Sequence, residues 1–194
     1  MIKKILILII IATNASAENL VCPQEFTNIQ YKNAQICVTR DYWFEDGIRM
    51  PYNANEAEMI AKKNNSVLPT KKIVDLIWDR SDLKLTPQPK KPTKEMTSLK
   101  YAIEHNNEIE KQINNKEYNL VSGHKKDILQ RTRQDRVTVY GWHYRSGKAI
   151  QPVSTIHGWD YKDYSHGTRL IHNKAMLNNK IVNINKIIST YDLK

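Results

Sequence analysis

The spacing of apolar positions changes along the chain. From Asn53 to Asn64 they recur at helical period, with Ala57, Ile60 and Ala61 on one face. Asn53 or Asn55 supplies an N-cap, Glu56 and Glu58 fall in the first turn, and Lys62 and Lys63 close the last. Pro69 breaks that pattern. Thr70 then caps a second helix, Lys71 to Arg80, with Ile73, Val74, Ile77 and Trp78 on one stripe. A third helix follows Thr97 or Ser98 and runs to about Asn114 on Leu99, Ala102, Ile103, Ile109 and Ile113. His105, in this polar-rich stretch, reads as a solvated surface residue.

Beyond Asn114 the period shortens to that of strands. Asn119 to Ser122, Arg136 to Tyr144, Ala149 to Val153 and Thr168 to His172 predict strands, as does Gln35 to Thr39 near the start. Tyr140, Trp142 and Tyr144 alternate, which places them on one sheet face. Asn178-Asn179 reads as a hairpin turn between Ala175–Leu177 and Lys180–Val182, with a short helix over Ile184 to Ser189. Helices precede strands, which predicts an α+β fold with a helical N-terminal part and an antiparallel, strand-rich C-terminal half. Residues 18–194 read as one domain. Pro87, Pro89 and Pro92 make residues 85–93 an exposed, extended connector within it.

The first seventeen residues stand apart. Lys3 and Lys4 precede an apolar run from Ile5 to Ala12, too short for a span of about 20 residues. Ala15-Ser16-Ala17 completes the pattern of an export signal over residues 1–17, with Glu18 starting the mature chain. No transmembrane span remains after its removal, and the protein is expected to be periplasmic or secreted. In an oxidising compartment Cys22 and Cys37, the only cysteines, are predicted to form a disulfide.

Export changes the meaning of charge. The chain carries 30 Lys and Arg against 20 Asp and Glu, a net +10. Outside the cytoplasm the polyanions are wall polymers, lipid head groups and acidic glycans, so nucleic acid is not the expected partner. The lysines are scattered, which implies weak steering towards the envelope and a peripheral surface contact there.

Five of the six histidines lie between His124 and His172. His143, His157 and His166 sit among Asp127, Asp160 and Asp163. Imidazole serves as general base, metal ligand or oxyanion donor. The catalytic candidates are His157, His166, Ser165, Asp163 and His143, with Ser165, Thr168 or an activated water as nucleophile. The binding candidates are Arg169, Lys125, Lys126, Trp142, Trp159 and Tyr164. No cofactor is required for this chemistry. Zinc is the alternative, with His124, Asp127, His143, His157, Asp160 and His166 as candidate ligands.

One segment resembles a known family. Ile156-His157-Gly158, followed by Ser165-His166-Gly167-Thr168-Arg169-Leu170, is similar to the HG…SHGC(I/V)RL signature of the YkuD-type L,D-transpeptidases. That resemblance implies an exported, β-rich enzyme with a Cys nucleophile and a His base acting on peptidoglycan stem peptides. Thr168 stands where that family has its Cys. The run from Val139 to Ile171 also resembles a segment of exported bacterial proteins to which no activity attaches. The sequence thus points to a hydrolase or amidase-like enzyme acting on a cell-wall polymer. Its alternative is a non-catalytic module that binds an anionic glycan or wall peptide.

Overall fold

The computed structural model describes residues 19–193, so residues 1–17, the expected export signal, lie outside the described residues. The fold is α+β with mostly antiparallel sheets. Two strands, β1 (Phe26–Tyr31) and β2 (Ala34–Thr39), form an N-terminal hairpin. The first helix α1 (Ala54–Lys63) starts at Asn53, whose side chain accepts from the Glu56 amide while Glu56 accepts in return. The two-residue strand β3 (Ser66–Val67) leads to α2 (Lys71–Arg80), capped by Thr70. Next comes β4 (Leu83–Lys84), then the largely exposed proline-rich connector and a 3-10 turn, Lys94–Thr97. Ser98 caps α3 (Leu99–Ile113), and Asn114 ends it in the left-handed conformation.

Strands dominate thereafter. They are β5 (Val121–Ser122), β6 (Lys126–Ile128), β7 (Val139–His143), β8 (Ala149–Ser154), β9 (His166–Gly167), β10 (Ile171–Leu177) and β11 (Lys180–Asn183). Helix α4 (Ile184–Thr190) follows. The last hairpin turns on Asn178 and Asn179 at φ 51° and 60°, as its sequence predicts.

The larger sheet has the order β1-β2-β10-β11, with β3 also on β10. The N-terminal hairpin is therefore completed by the C-terminal one. Ile29, Ile36, Ile171 and Ala175 of this sheet pack on Ile73 and Ile77 of α2 and on Ile184 and Ile187 of α4. The second sheet has the order β8-β7-β6-β9. Its Ile128 and Val139 pack against Ala57 and Ala61 of α1. Cys22 and Cys37 are joined in a disulfide, Cα atoms 5.5 Å apart, which ties the segment before β1 to the middle of β2. Among the described residues no helix is long and apolar enough to cross a membrane.

Three local expectations fail. His105 is fully buried on α3 beside Ala102 and Ile109, not solvated. The strand expected over Thr168 to His172 begins only at Ile171. The alternation of Tyr140, Trp142 and Tyr144 breaks at a register shift on β7, where Gly141 has φ 107° and Trp142 φ 57°. A tryptophan at positive φ is a strained outlier.

Candidate functional site

The second sheet assembles the chemistry. Strand β6 lies parallel to β9, with Lys126 opposite His166 and Asp127 opposite Gly167. Ring packing fixes the spacing: a Cβ on Gly167 would fall 2.5 Å from the Tyr42 ring. Tyr42 in turn donates its hydroxyl to Asp127 Oδ2 at 2.8 Å.

Around Tyr161 the structure gathers several of the expected residues. Exposed His157 stacks on the Tyr161 ring, centroids 3.9 Å apart. Tyr161 donates its hydroxyl to Asp163 Oδ2 at 3.0 Å, and its ring meets His166 edge-on at 5.8 Å. Asp163 Oδ1 accepts the Ser165 amide at 2.8 Å and the Ser165 hydroxyl. Burial opposes the charge on Asp163, yet His166, Ser165 and Lys126 hold its pKa below the ordinary carboxylate value. His166 Nδ1 lies 3.4 Å from the Tyr52 carbonyl. A carbonyl only accepts, so Nδ1 carries the proton and Nε2 keeps a lone pair. Burial pushes the His166 pKa down to about 4, so the ring is neutral near pH 7. Lys126 Nζ sits over the Trp142 ring at 5.1 Å.

The remaining candidates lie elsewhere. His143 stacks on Trp78 at 5.3 Å and faces Asp75 Oδ1 at 3.3 Å, within a group completed by Tyr140 and Lys71. Arg169 is fully buried and donates to the carbonyls of Thr39 and Val121 at 2.9 and 2.8 Å. Lys125 is equally buried, its ammonium on the Tyr164 carbonyl at 2.7 Å. The Tyr164 hydroxyl accepts from the Lys90 amide at 2.6 Å, which fastens the proline-rich connector. Arg169, Lys125 and Tyr164 are thus interior residues held by the protein itself. Trp159 and Asp160 are exposed. Thr168 is fully buried and its hydroxyl has no protein partner. Among the described residues no three His, Cys, Asp or Glu side chains converge to hold a metal ion. Of the six candidate zinc ligands, His157 and His166 both meet the Tyr161 ring, and no third joins them.

Two further groups are not among the expected residues. One is the Asp41 network. Asp41 accepts from Arg49 Nη2 at 2.7 Å, His124 Nε2 at 3.0 Å and Tyr118 at 3.0 Å. Burial alone would raise Asp41, but His124 and Arg49 hold it well below the usual carboxylate range. Burial lowers His124 to about 4. The other group is His105, with Trp142 at 6.3 Å and Tyr164 at 5.0 Å. Both His105 nitrogens and Trp142 Nε1 are buried without a protein partner. Burial lowers His105 to about 2, so it stays neutral.

A separate cleft of about 1110 Å³ opens beside the Asp41 network, walled by Trp43, Phe44, Tyr118, Arg40 and Asp82. None of the histidines lines it. Fold and site together describe a disulfide-bonded α+β protein with an ionised interior, a histidine–tyrosine surface group and a separate open cleft. No protein-family profile, no curated protein and no solved structure matches the chain.

Proposed function

We propose that the protein is an exported, envelope-directed hydrolase, amidase-like in its chemistry, whose base is His166. One observation carries this reading: the Tyr52 carbonyl fixes the His166 tautomer so that Nε2 is the unprotonated nitrogen. In the proposed reaction Nε2 takes a proton from water, and the hydroxide oxygen attacks a carbonyl carbon of the substrate. Lys126, opposite His166 across the sheet, faces the developing oxyanion. The Asp163 carboxylate, held by Ser165 and Tyr161, steadies the imidazolium until it passes its proton to the leaving amine. Water is the nucleophile because the Ser165 hydroxyl is committed to Asp163. The stacked His157–Tyr161 pair forms the outer wall past which a substrate would approach.

The test is digestion of purified sacculi with release of fragments followed by mass spectrometry. His166→Gln is expected to abolish release, while His143→Gln, whose ring sits on Trp78 and Asp75 instead, retains it. No fragments from the wild-type protein, where a control hydrolase releases them, would overturn the proposal. A second reading, a binding module without a reaction, draws on the cleft, whose aromatic and polar walls suit a wall polymer. There Trp43→Ala weakens retention on sacculi and His166→Gln does not.

A further inference from the structure

The proline-rich connector is fastened to the fold by side chains. Among the described residues, no main-chain group from Thr86 to Pro92 bonds to a main-chain group elsewhere. Pro87, Pro89 and Pro92 have no N–H to give. The Gln112 side chain accepts the Thr86 N–H at 2.9 Å and donates to the Thr86 carbonyl at 3.0 Å. The Lys90 N–H donates to the Tyr164 hydroxyl, and the Lys90 ammonium bridges Glu104 and Glu108 of α3 at 3.2 and 3.4 Å. That ammonium also lies over the Tyr101 ring at 5.1 Å. Only Pro87 is buried between Thr86 and Thr93.

Both ends are anchored differently. Leu85 packs with Ile109, Ile113 and Val121, and its N–H donates to the Ser122 carbonyl at 2.9 Å. On the far side, the Met96 carbonyl accepts the Tyr164 N–H at 3.0 Å. Residues 86–93 thus form a strap with a fixed point at each end. The Glu104 and Glu108 side chains are 44% and 40% exposed. Ion pairs to carboxylates as exposed as these are individually weak and are screened by salt.

Behind Lys90 lie groups that would gain from water. Tyr164 meets the rings of Tyr101, His105 and Trp142, with centroids 5.8, 5.0 and 6.3 Å away. His105 and Trp142 bring three buried ring nitrogens that have no protein partner. A buried donor or acceptor left unpaired has lost its bonds to water and received none in return. The closed strap therefore carries a penalty that opening relieves, and only a few side-chain contacts hold it shut. A balance of that kind marks an element that opens separately from the rest of the fold.

We propose that residues 86–93 are a lid that lifts off α3 as a unit, with Leu85 and Met96 as its fixed ends, and lets water reach His105 and Trp142. The contacts to Gln112, Tyr164, Glu104 and Glu108 break together, because all of them hold the same short segment. Opening uncovers the rings of Tyr101, Tyr164 and Trp142, the last of which carries the Lys126 ammonium opposite His166. The lid thus gates solvent access to the interior beside that strand pair. This inference rests on the strap's own contacts and is independent of the proposed hydrolysis.

Native-state hydrogen exchange followed by NMR tests it. The Lys90 amide and the Trp142 indole proton are expected to share one protection factor. It should lie well below that of the Ile36 amide, on the strand flanked by β1 and β10. Sodium chloride at about 1 M should lower both by the same factor, because it screens Lys90 from Glu104 and Glu108. Lys90→Met should lower the protection at position 90 and at Trp142 by about tenfold. His105→Leu removes two of the nitrogens that opening hydrates, so it should raise the Lys90 protection about fivefold relative to Ile36. The wild-type comparison holds whether or not a variant folds. A Trp142 indole that exchanges only as Ile36 does would overturn the inference. So would a Lys90 amide that opens without Trp142, or one whose protection His105→Leu leaves unchanged.

Discussion

Lys125 offers a sharp test of the ionised interior. Its ammonium has one hydrogen-bond acceptor, the Tyr164 carbonyl at 2.7 Å, and no carboxylate in direct contact. Burial, with the charge of Arg49 behind it, lowers its pKa from 10.5 to about 7. The folded pKa lies below the unfolded one. Between pH 7 and 10.5 the unfolded chain therefore holds a proton that the folded protein has released, and stability rises with pH across that window. Over the whole window the gain is about 5 kcal/mol, at about 1.4 kcal/mol per pH unit.

Lys125→Met keeps the stem and removes the charge. It also leaves the Tyr164 carbonyl without its ammonium donor, at a cost of about 2 kcal/mol. At pH 7 the variant should be more stable than wild type by about 3 kcal/mol, the buried charge being gone. At pH 10.5 it should be less stable by about 2 kcal/mol, and the two curves should cross at about pH 9. Urea unfolding of both proteins at half-unit steps from pH 7 to 10.5 measures the difference, in which every other titrating group cancels. A stability difference that does not vary with pH would refute the reasoning, because it would mean that Lys125 is charged equally in both states.

Two structural predictions accompany it. Replacing Cys22 and Cys37 by serine opens a cross-link that spans 15 residues of sequence. It should cost about 3 kcal/mol in denaturant unfolding, and an unchanged midpoint would show that the bond constrains nothing. Gly167→Ala places a methyl 2.5 to 2.9 Å from three Tyr42 ring atoms, and the Tyr42 hydroxyl is tethered to Asp127. Overpacking of this kind should cost about 1–3 kcal/mol, and a variant of wild-type stability would show that the ring moves freely.

What was legible in the sequence was what neighbouring residues decide. Helix α2 runs over the predicted Lys71–Arg80 because Thr70 caps it and its apolar stripe is regular. The Asn178-Asn179 turn was legible because asparagine tolerates the left-handed region. Strand β1 was not picked out, since its alternation is mostly polar and its pairing partner β2 supplies the apolar signal. The bulge at Gly141-Trp142 was hidden for a different reason: strand-forming residues surround it. His105 was legible in principle. It falls three residues after Ala102 and four before Ile109, on the buried stripe of α3.

The candidate site divides the same way. Tyr161, Asp163, Ser165 and His166 lie within six residues, so their grouping follows from one short segment. Asp41, Arg49 and Tyr52 reach the interior from the first third of the chain, and only the fold brings them to His124 and His166. Their contacts also separate two roles. The Asp41 carboxylate is saturated by Arg49, His124 and Tyr118, as a fixed structural centre should be.

His105 and Trp142 are the reverse, with three buried ring nitrogens unpaired by the protein and the strained backbone at Trp142 beside them. Such groups cost stability wherever they serve nothing. His105→Leu removes two of them and should therefore stabilise the fold by about 1–3 kcal/mol in urea unfolding. Trp142 also carries the Lys126 ammonium over its ring, and Lys126 faces His166, so the unpaired group adjoins the proposed base. If that adjacency serves the reaction, the stabilised variant releases fewer fragments from sacculi than wild type. A variant that gains stability and keeps full release would separate His105 from the site and leave it a plain cost of packing.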